Sequence, residues 1–213
     1  MDPRDPKSLR RHIERRLQDS TPGGDPLGAL VADLSPEQVA ALRGHLPGTF
    51  ARAAVMVPIV ERPEGLTVLL TERASHLKHH PGQISFPGGR IEPGDAGPWE
   101  AAVRETREEI GLAAEYASLA GYLHDHMVLT GYLITPAVAF VRPGFTLALD
   151  VTEVQDVFEV PLEFVFDPAH HVPRKRTFGG HEFLTHDIPY GERHIWGATA
   201  GMLLSLYRLL QEG

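Results

Sequence analysis

The sequence predicts an α/β/α sandwich, a mixed β-sheet with packed helices, preceded by a helical extension. Three observations point there. Segments with strand-like apolar alternation recur at 53–60, 66–71, 117–124, 132–141 and 156–160. A short helix with clear start and stop signals falls between the second and third of these. An amphipathic helix rich in Leu and Met follows the last of them, at about 194–211.

In chain order, SLRRHIERRLQ at 8–18 forms an amphipathic helix with Leu9, Ile13 and Leu17 on one side. DSTPGGDP, residues 19–26, reads as a flexible connection. Ser35 is an N-cap and Pro36 the first position of a second helix. The boundary between a helical extension, 1–47, and the main domain, 48–213, lies just after it. Leu69-Leu70-Thr71 ends a strand, Pro81-Gly82 is a turn, and Pro87-Gly88-Gly89 is read as a second turn. A further strand is expected near 181–187. The apolar face of the last helix serves packing or a contact with a second copy in a homodimer.

A chain of 213 residues fits one domain with an appended helical segment. Its 28 acidic and 20 basic side chains leave a formal charge of -8, which argues against a protein that coats nucleic acid. No cysteine is present, so disulfides, thiolate metal sites and thiol nucleophiles are excluded. No apolar run resembles a signal peptide or reaches about 18 residues, so a soluble, cytoplasmic protein with no membrane partner is expected.

The chemistry concentrates at 88–112, GGRIEPGDAGPWEAAVRETREEIGL. Pro98 suits a first helical position, Glu100 favours the positive end of the helix dipole, and Gly111 suits a left-handed cap. Ala101, Ala102, Val103, Thr106 and Ile110 form a small apolar side that can lie close against a sheet. Glu105, Glu108 and Glu109 are surface neighbours at helical spacing. Alone, they suit either a solvated acidic face beside Arg104 and Arg107 or a set of ligands for a hard divalent cation.

This stretch resembles the Nudix box, G-x5-E-x7-R-E-U-x-E-E-x-G-U with U aliphatic. Gly89, Arg104, Glu105, Glu108, Glu109, Gly111 and Leu112 match it, and Thr106 stands at an aliphatic position. The loop departs from the pattern: the acidic position falls on Asp95, and eight residues rather than seven precede Arg104. The resemblance implies the Nudix α/β/α fold and a divalent cofactor, Mg²⁺ or Mn²⁺, held by Glu105, Glu108, Glu109 and the Gly89 carbonyl. It implies that Arg104 orients the glutamates, and that Asp95 helps hold the loop on the helix. Glu153, in TEVQDVFEVPL, is the candidate general base, with an exposed charge at the start of a strand as the alternative.

Immediately upstream, LLTERASHLKHHPGQISFPGG, residues 69–89, resembles the extra motif of coenzyme A pyrophosphatases, L-L-T-x-T-(S/A)-x3-R-x3-G-x3-F-P-G-G. Leu69, Leu70, Thr71, Ala74, Gly82, Phe86, Pro87, Gly88 and Gly89 match. Arg73 replaces Thr, and Lys78 replaces Arg, which keeps the charge but loses the bidentate fork. The resemblance implies a small-molecule substrate, coenzyme A or its thioesters, bound through Arg73, Lys78, Gly82, Phe86, Gly88 and Gly89. Phe86 either stacks on adenine or sits in the core. Other diphosphates (ADP-ribose, a dinucleotide, a nucleoside triphosphate) and a non-catalytic nucleotide-sensing module are the alternatives.

Among twelve histidines, His124 and His126 have the alternate spacing of a strand-borne ligand pair, but exposed or loop histidines are the default. His79 and His80 adjoin the substrate motif. Arg174-Lys175-Arg176 is expected in a solvated loop that could reach an anion.

Overall fold

The computed structural model describes residues 5–24, 35–37, 39–40, 49–77, 80–128, 131–178 and 181–211. Its centre is β1 (Ala51–Arg62), eight of whose residues form an unbroken buried run. A strand buried on both faces reads as a continuous apolar run rather than an alternation, and AAVMVPIV supplies one. It pairs in parallel with β7 (Tyr132–Val141) and antiparallel with β2 (Gly65–Arg73) and β4 (Gly88–Arg90). β3 (Ile84–Ser85) and β8 (Val154–Pro161) extend the sheet on β2; β5 (Ala117–Tyr122) and β6 (His126–Val128) extend it on β7. The sheet is mixed, as the sequence predicts.

Strand parity divides the core in two. Ala54, Met56 and Leu69 with Ala137 and Ala139 face α2 (Pro98–Ile110), the acidic helix. Val55, Val57, Ile59, Val68 and Leu70 face the opposite layer. There α1 (Pro6–Leu17) buries Leu9, Ile13 and Leu17, each contributing about 1.5–3 kcal/mol. Asp5 caps α1 through the Lys7 amide. His12 and Arg16 reach the Leu210 and Leu209 carbonyls of α4 (Gly197–Gln211), so the first and last helices share one layer and one core. The apolar side of α4 is likewise spent on this core, which is the packing alternative. A one-turn helix, α3 (Leu162–Val165), follows β8.

Three expectations need correction. Arg174, Lys175 and Arg176 are not in a loop: they lie in β9 (Val172–Phe178), which forms a second sheet with β10 (His181–Tyr190) and β11 (Arg193–Ile195). Opposite charge fixes them there, because buried Asp187 accepts two hydrogen bonds from Arg176 and lies 3.6 Å from Arg174. His124 and His126 do not share a strand, since β5 ends at Tyr122 and β6 begins at His126. The α4 helix also starts later than expected, because His194 and Ile195 belong to β11.

Candidate active site

The acidic helix is seated by its ends and its underside. Pro98 opens it, and Gly111 ends it at φ 72°, donating its amide to the Arg107 carbonyl. Ala101, Ala102, Thr106 and Ile110 are buried beneath it. Thr106 is tolerated at an aliphatic position because its hydroxyl donates to the Ala102 carbonyl at 2.6 Å, leaving no buried polar atom unpaired.

Arg104 organises the loop and the helix together. Its Nε and Nη2 donate to the two oxygens of Asp95 at 3.0 and 2.9 Å, and Nη2 also donates to the Arg90 carbonyl. Its Nη1 donates to Glu105 at 3.0 Å and to Glu108 at 3.2 Å. Asp95 in turn accepts from the Glu92 amide at 2.8 Å. Arg104 holds the Asp95 carboxyl below its ordinary range, with the Glu92 amide acting in the same direction. The loop with one extra residue thus still places a carboxylate on Arg104, in the bidentate geometry that a guanidinium fork favours.

The three glutamates are graded in exposure. The Glu108 side chain is 57% exposed and that of Glu105 is 19% exposed. Glu109 is 6% exposed, and its Oε2 accepts from the Gly88 amide at 3.1 Å. Burial pushes the Glu109 carboxyl up to about 7; the Gly88 bond opposes this, the charges of Glu153 and Glu105 add to it, and Arg73 opposes it. Glu105 is also raised, first by burial and then by Glu108 and Glu153, against the pull of Arg104. Carboxyls whose ionised forms are disfavoured by burial and by one another make a site that a cation would relieve.

The last two glycines of the upstream motif are strand residues, not a turn. Gly88 and Gly89 pair with Val55 and Ala54 in the β4–β1 ladder. Gly88 has φ 152°, and a Cβ there would meet the Ala54 carbonyl at 2.3 Å. A Cβ on Gly89 would fall 2.5 Å from the Glu105 carboxyl carbon. The bare Gly88 lets β4 lie close against β1, and the bare Gly89 leaves room for Glu105 of the acidic helix. Pro81-Gly82 is a turn, with Gly82 at φ 68° and its amide on the Arg73 carbonyl.

The other expected site residues divide. Arg73, half-buried at the end of β2, and Glu153, on an exposed turn, both lie within electrostatic reach of Glu109. Phe86 is 3% exposed and belongs to the core, so it presents no face to an adenine. Lys78 and His79 lie outside the described residues. His80 is exposed. His126 is half-buried against Gly201, with burial lowering its pKa to about 4, so it is not the exposed histidine expected. Among the described residues no three His, Asp or Glu side chains form a ready-made metal cage, because Glu105 and Glu108 are drawn to Arg104 and Glu109 to Gly88.

The Gly88 amide as a partner for Glu109 was not anticipated from the sequence. The Asp187 cluster was missed too; the Arg-x-Arg alternation of strand β9 was its only signal.

A NUDIX domain model matches residues 50–179. An uncharacterized Nudix hydrolase, NudL, of Enterobacter sp. (strain 638) is 36% identical over 155 residues, covering 73% of this chain and 80% of the relative. NudL of Escherichia coli (strain K12) is 36% identical over 156 residues, with the same shares. Among solved structures, the MutT protein of Methanosarcina mazei Go1 superposes with a TM-score of 0.50 at 18% identity, over 78% of this chain and 97% of that one, a likeness of fold.

Proposed function

This chain belongs to the Nudix hydrolases, and on that premise we propose that it hydrolyses the diphosphate of coenzyme A, and of its thioesters, in a reaction dependent on Mg²⁺ or Mn²⁺. The observation that carries this reading is the seating of the end of segment 69–89, Gly88 and Gly89, against the acidic helix. These glycines form the strand under Glu105 and Glu109, and Arg73 lies within electrostatic reach of Glu109. One contiguous segment therefore both shapes the acidic site and supplies a cation beside it for an anionic substrate.

The donor set fits a hard divalent ion. Glu105, Glu108 and Glu109 offer carboxylate oxygens and Gly89 a backbone carbonyl, and the raised carboxyls of Glu105 and Glu109 lack a counter-charge that Arg104 alone does not provide. Bound there, such an ion would neutralise the diphosphate and acidify the attacking water. Arg104 holds Glu105 and Glu108 in register, and Arg73, with Lys78, supplies cationic contacts for the substrate phosphates. Glu153 takes a proton from the water as its oxygen bonds to phosphorus. The bridging P–O bond breaks, and its electron pair leaves with the departing phosphate. The products are adenosine 3′,5′-bisphosphate and 4′-phosphopantetheine, whichever phosphorus is attacked.

The test is product analysis with coenzyme A, ADP-ribose and NADH in Mg²⁺, Mn²⁺ and chelator. Metal-dependent release of adenosine 3′,5′-bisphosphate, faster than cleavage of the others, supports the proposal. Turnover of another diphosphate with coenzyme A left intact removes the substrate while keeping the chemistry. No turnover of any of the three favours a nucleotide-sensing module.

A further inference from the structure

The turn that carries Glu153 is built around one residue, Asp150. The Asp150 amide donates to the Glu109 carbonyl at 2.9 Å, next to the bond from the Ala148 amide to the Ile110 carbonyl. Its own carbonyl accepts the Glu153 and Val154 amides, both at 2.9 Å. Its carboxylate Oδ1 accepts the Thr152 amide at 2.9 Å and the Thr152 hydroxyl at 2.6 Å. On the far side, the Glu153 carbonyl accepts the Ala74 amide at 2.8 Å, which ties the turn to the substrate motif just past the end of β2.

An Asp side chain that bonds the backbone two residues on mimics a backbone turn and selects one turn geometry. Here that turn is exposed, so apolar burial does little to hold it: Val151 at its tip is 72% exposed. The backbone bonds anchor the two ends of the turn, and the side-chain bonds of Asp150 fix the geometry of the residues between them, from which Glu153 projects. A general base that drifts by about 1 Å can lose on the order of a hundredfold in rate.

We propose that Asp150 is a positioning residue, which through its turn fixes Glu153 relative to the helix bearing Glu105 and Glu109. This rests on the proposed role of Glu153 as general base. The geometry asks only for an acceptor at Oδ1, which Asn supplies and Ala does not.

The experiment is a double-mutant cycle with metal-loaded enzyme, measuring kcat and KM for coenzyme A with Asp150→Ala, Asp150→Asn, Glu153→Gln and the Asp150→Ala/Glu153→Gln pair. The expected result is a loss in kcat of about tenfold or more for Asp150→Ala with KM and the melting temperature nearly unchanged, a part of the 10²–10⁴ that a base contributes. Asp150→Asn restores most of it. In the Glu153→Gln background, Asp150→Ala costs nothing further. An equal loss in both backgrounds overturns the proposal, because Asp150 then acts on something other than Glu153. Full activity of Asp150→Ala beside an impaired Glu153→Gln overturns the positioning role alone. Full activity of Glu153→Gln overturns the base assignment and the proposal with it.

Discussion

Glu109 is almost wholly buried, yet only one hydrogen bond from the described residues, the Gly88 amide at 3.1 Å, reaches its carboxylate. A carboxylate so placed destabilises the metal-free fold when ionised. Its carboxyl is raised from the ordinary 4.5 to about 7, so the folded state holds a proton that the unfolded chain releases. Stability is therefore lost as pH rises from about 4.5 through 7. Each pKa unit corresponds to about 1.4 kcal/mol, which sets the loss at about 3 kcal/mol by pH 8.

Metal-free Glu109→Gln is accordingly expected to melt about 5–10 °C above the wild type at pH 8 and at nearly the same temperature at pH 4. Its turnover of diphosphate substrate should fall by at least a hundredfold. Calorimetry at the two pH values in chelator, beside an activity assay, checks both halves. A variant less stable than the wild type at pH 8 would refute this account of Glu109.

The two glycines of β4 should separate fold from function. Gly89→Ala meets only the movable end of Glu105, so we expect melting within about 2 °C of wild type but activity down tenfold or more as that carboxylate is displaced. Gly88→Ala meets the backbone of Ala54 at a φ that only glycine adopts readily, so a loss of about 2 kcal/mol or more is expected. Melting curves and kcat/KM of the pair decide the matter. Equal effects of the two substitutions would contradict the geometry.

Arg104→Lys should be far from conservative. Lysine cannot span the two Asp95 oxygens, Glu105, Glu108 and the Arg90 carbonyl at once. A fall in kcat/KM of about 10- to 100-fold is expected, with weaker metal binding by isothermal titration. Asp95→Asn, which keeps an acceptor, should lose less than Asp95→Ala.

His126 predicts a stability change on the opposite layer. Burial lowers its pKa from 6.5 to about 4, so the unfolded chain binds a proton that the folded state refuses. Stability is then full above about 6.5 and falls as pH drops toward 4, by about 1–3 kcal/mol. His126→Gln should flatten denaturation midpoints across that window. An unchanged slope would show that other groups carry the acid sensitivity.

Much of this was readable in the chain, and the exceptions have physical causes. The long strands β1, β2, β7 and β8, the helix between Pro98 and Gly111 and the buried stripe of α1 follow from periodicity and capping, which are local. The strands that escaped notice, β3, β4, β6, β9 and β11, are mostly two or three residues long or rich in charge; what holds them is pairing with distant partners. Gly88-Gly89 looked like a turn because glycine pairs usually are; here Gly88 admits the neighbouring strand β1 and Gly89 the Glu105 carboxylate of the helix. The box glutamates were visible as a set, but their unequal burial was not, since it depends on the fit between α2 and β4. Arg174, exposed, and Arg176, half-buried, looked like loop residues because Asp187, their partner, stands more than ten residues away on another strand.

Between the acidic helix and the sheet lies a layer of alanines, Ala54, Ala101, Ala102, Ala137 and Ala139, all fully buried. Filling a core with larger side chains is a common route to a hardier protein. Here each added methylene would act as a shim, lifting the helix off β4 and drawing its carboxylates away from the Gly88 amide and the Gly89 backbone. Directed evolution for heat tolerance should therefore leave these five positions untouched, and a design that enlarges them would exchange the enzyme for its scaffold.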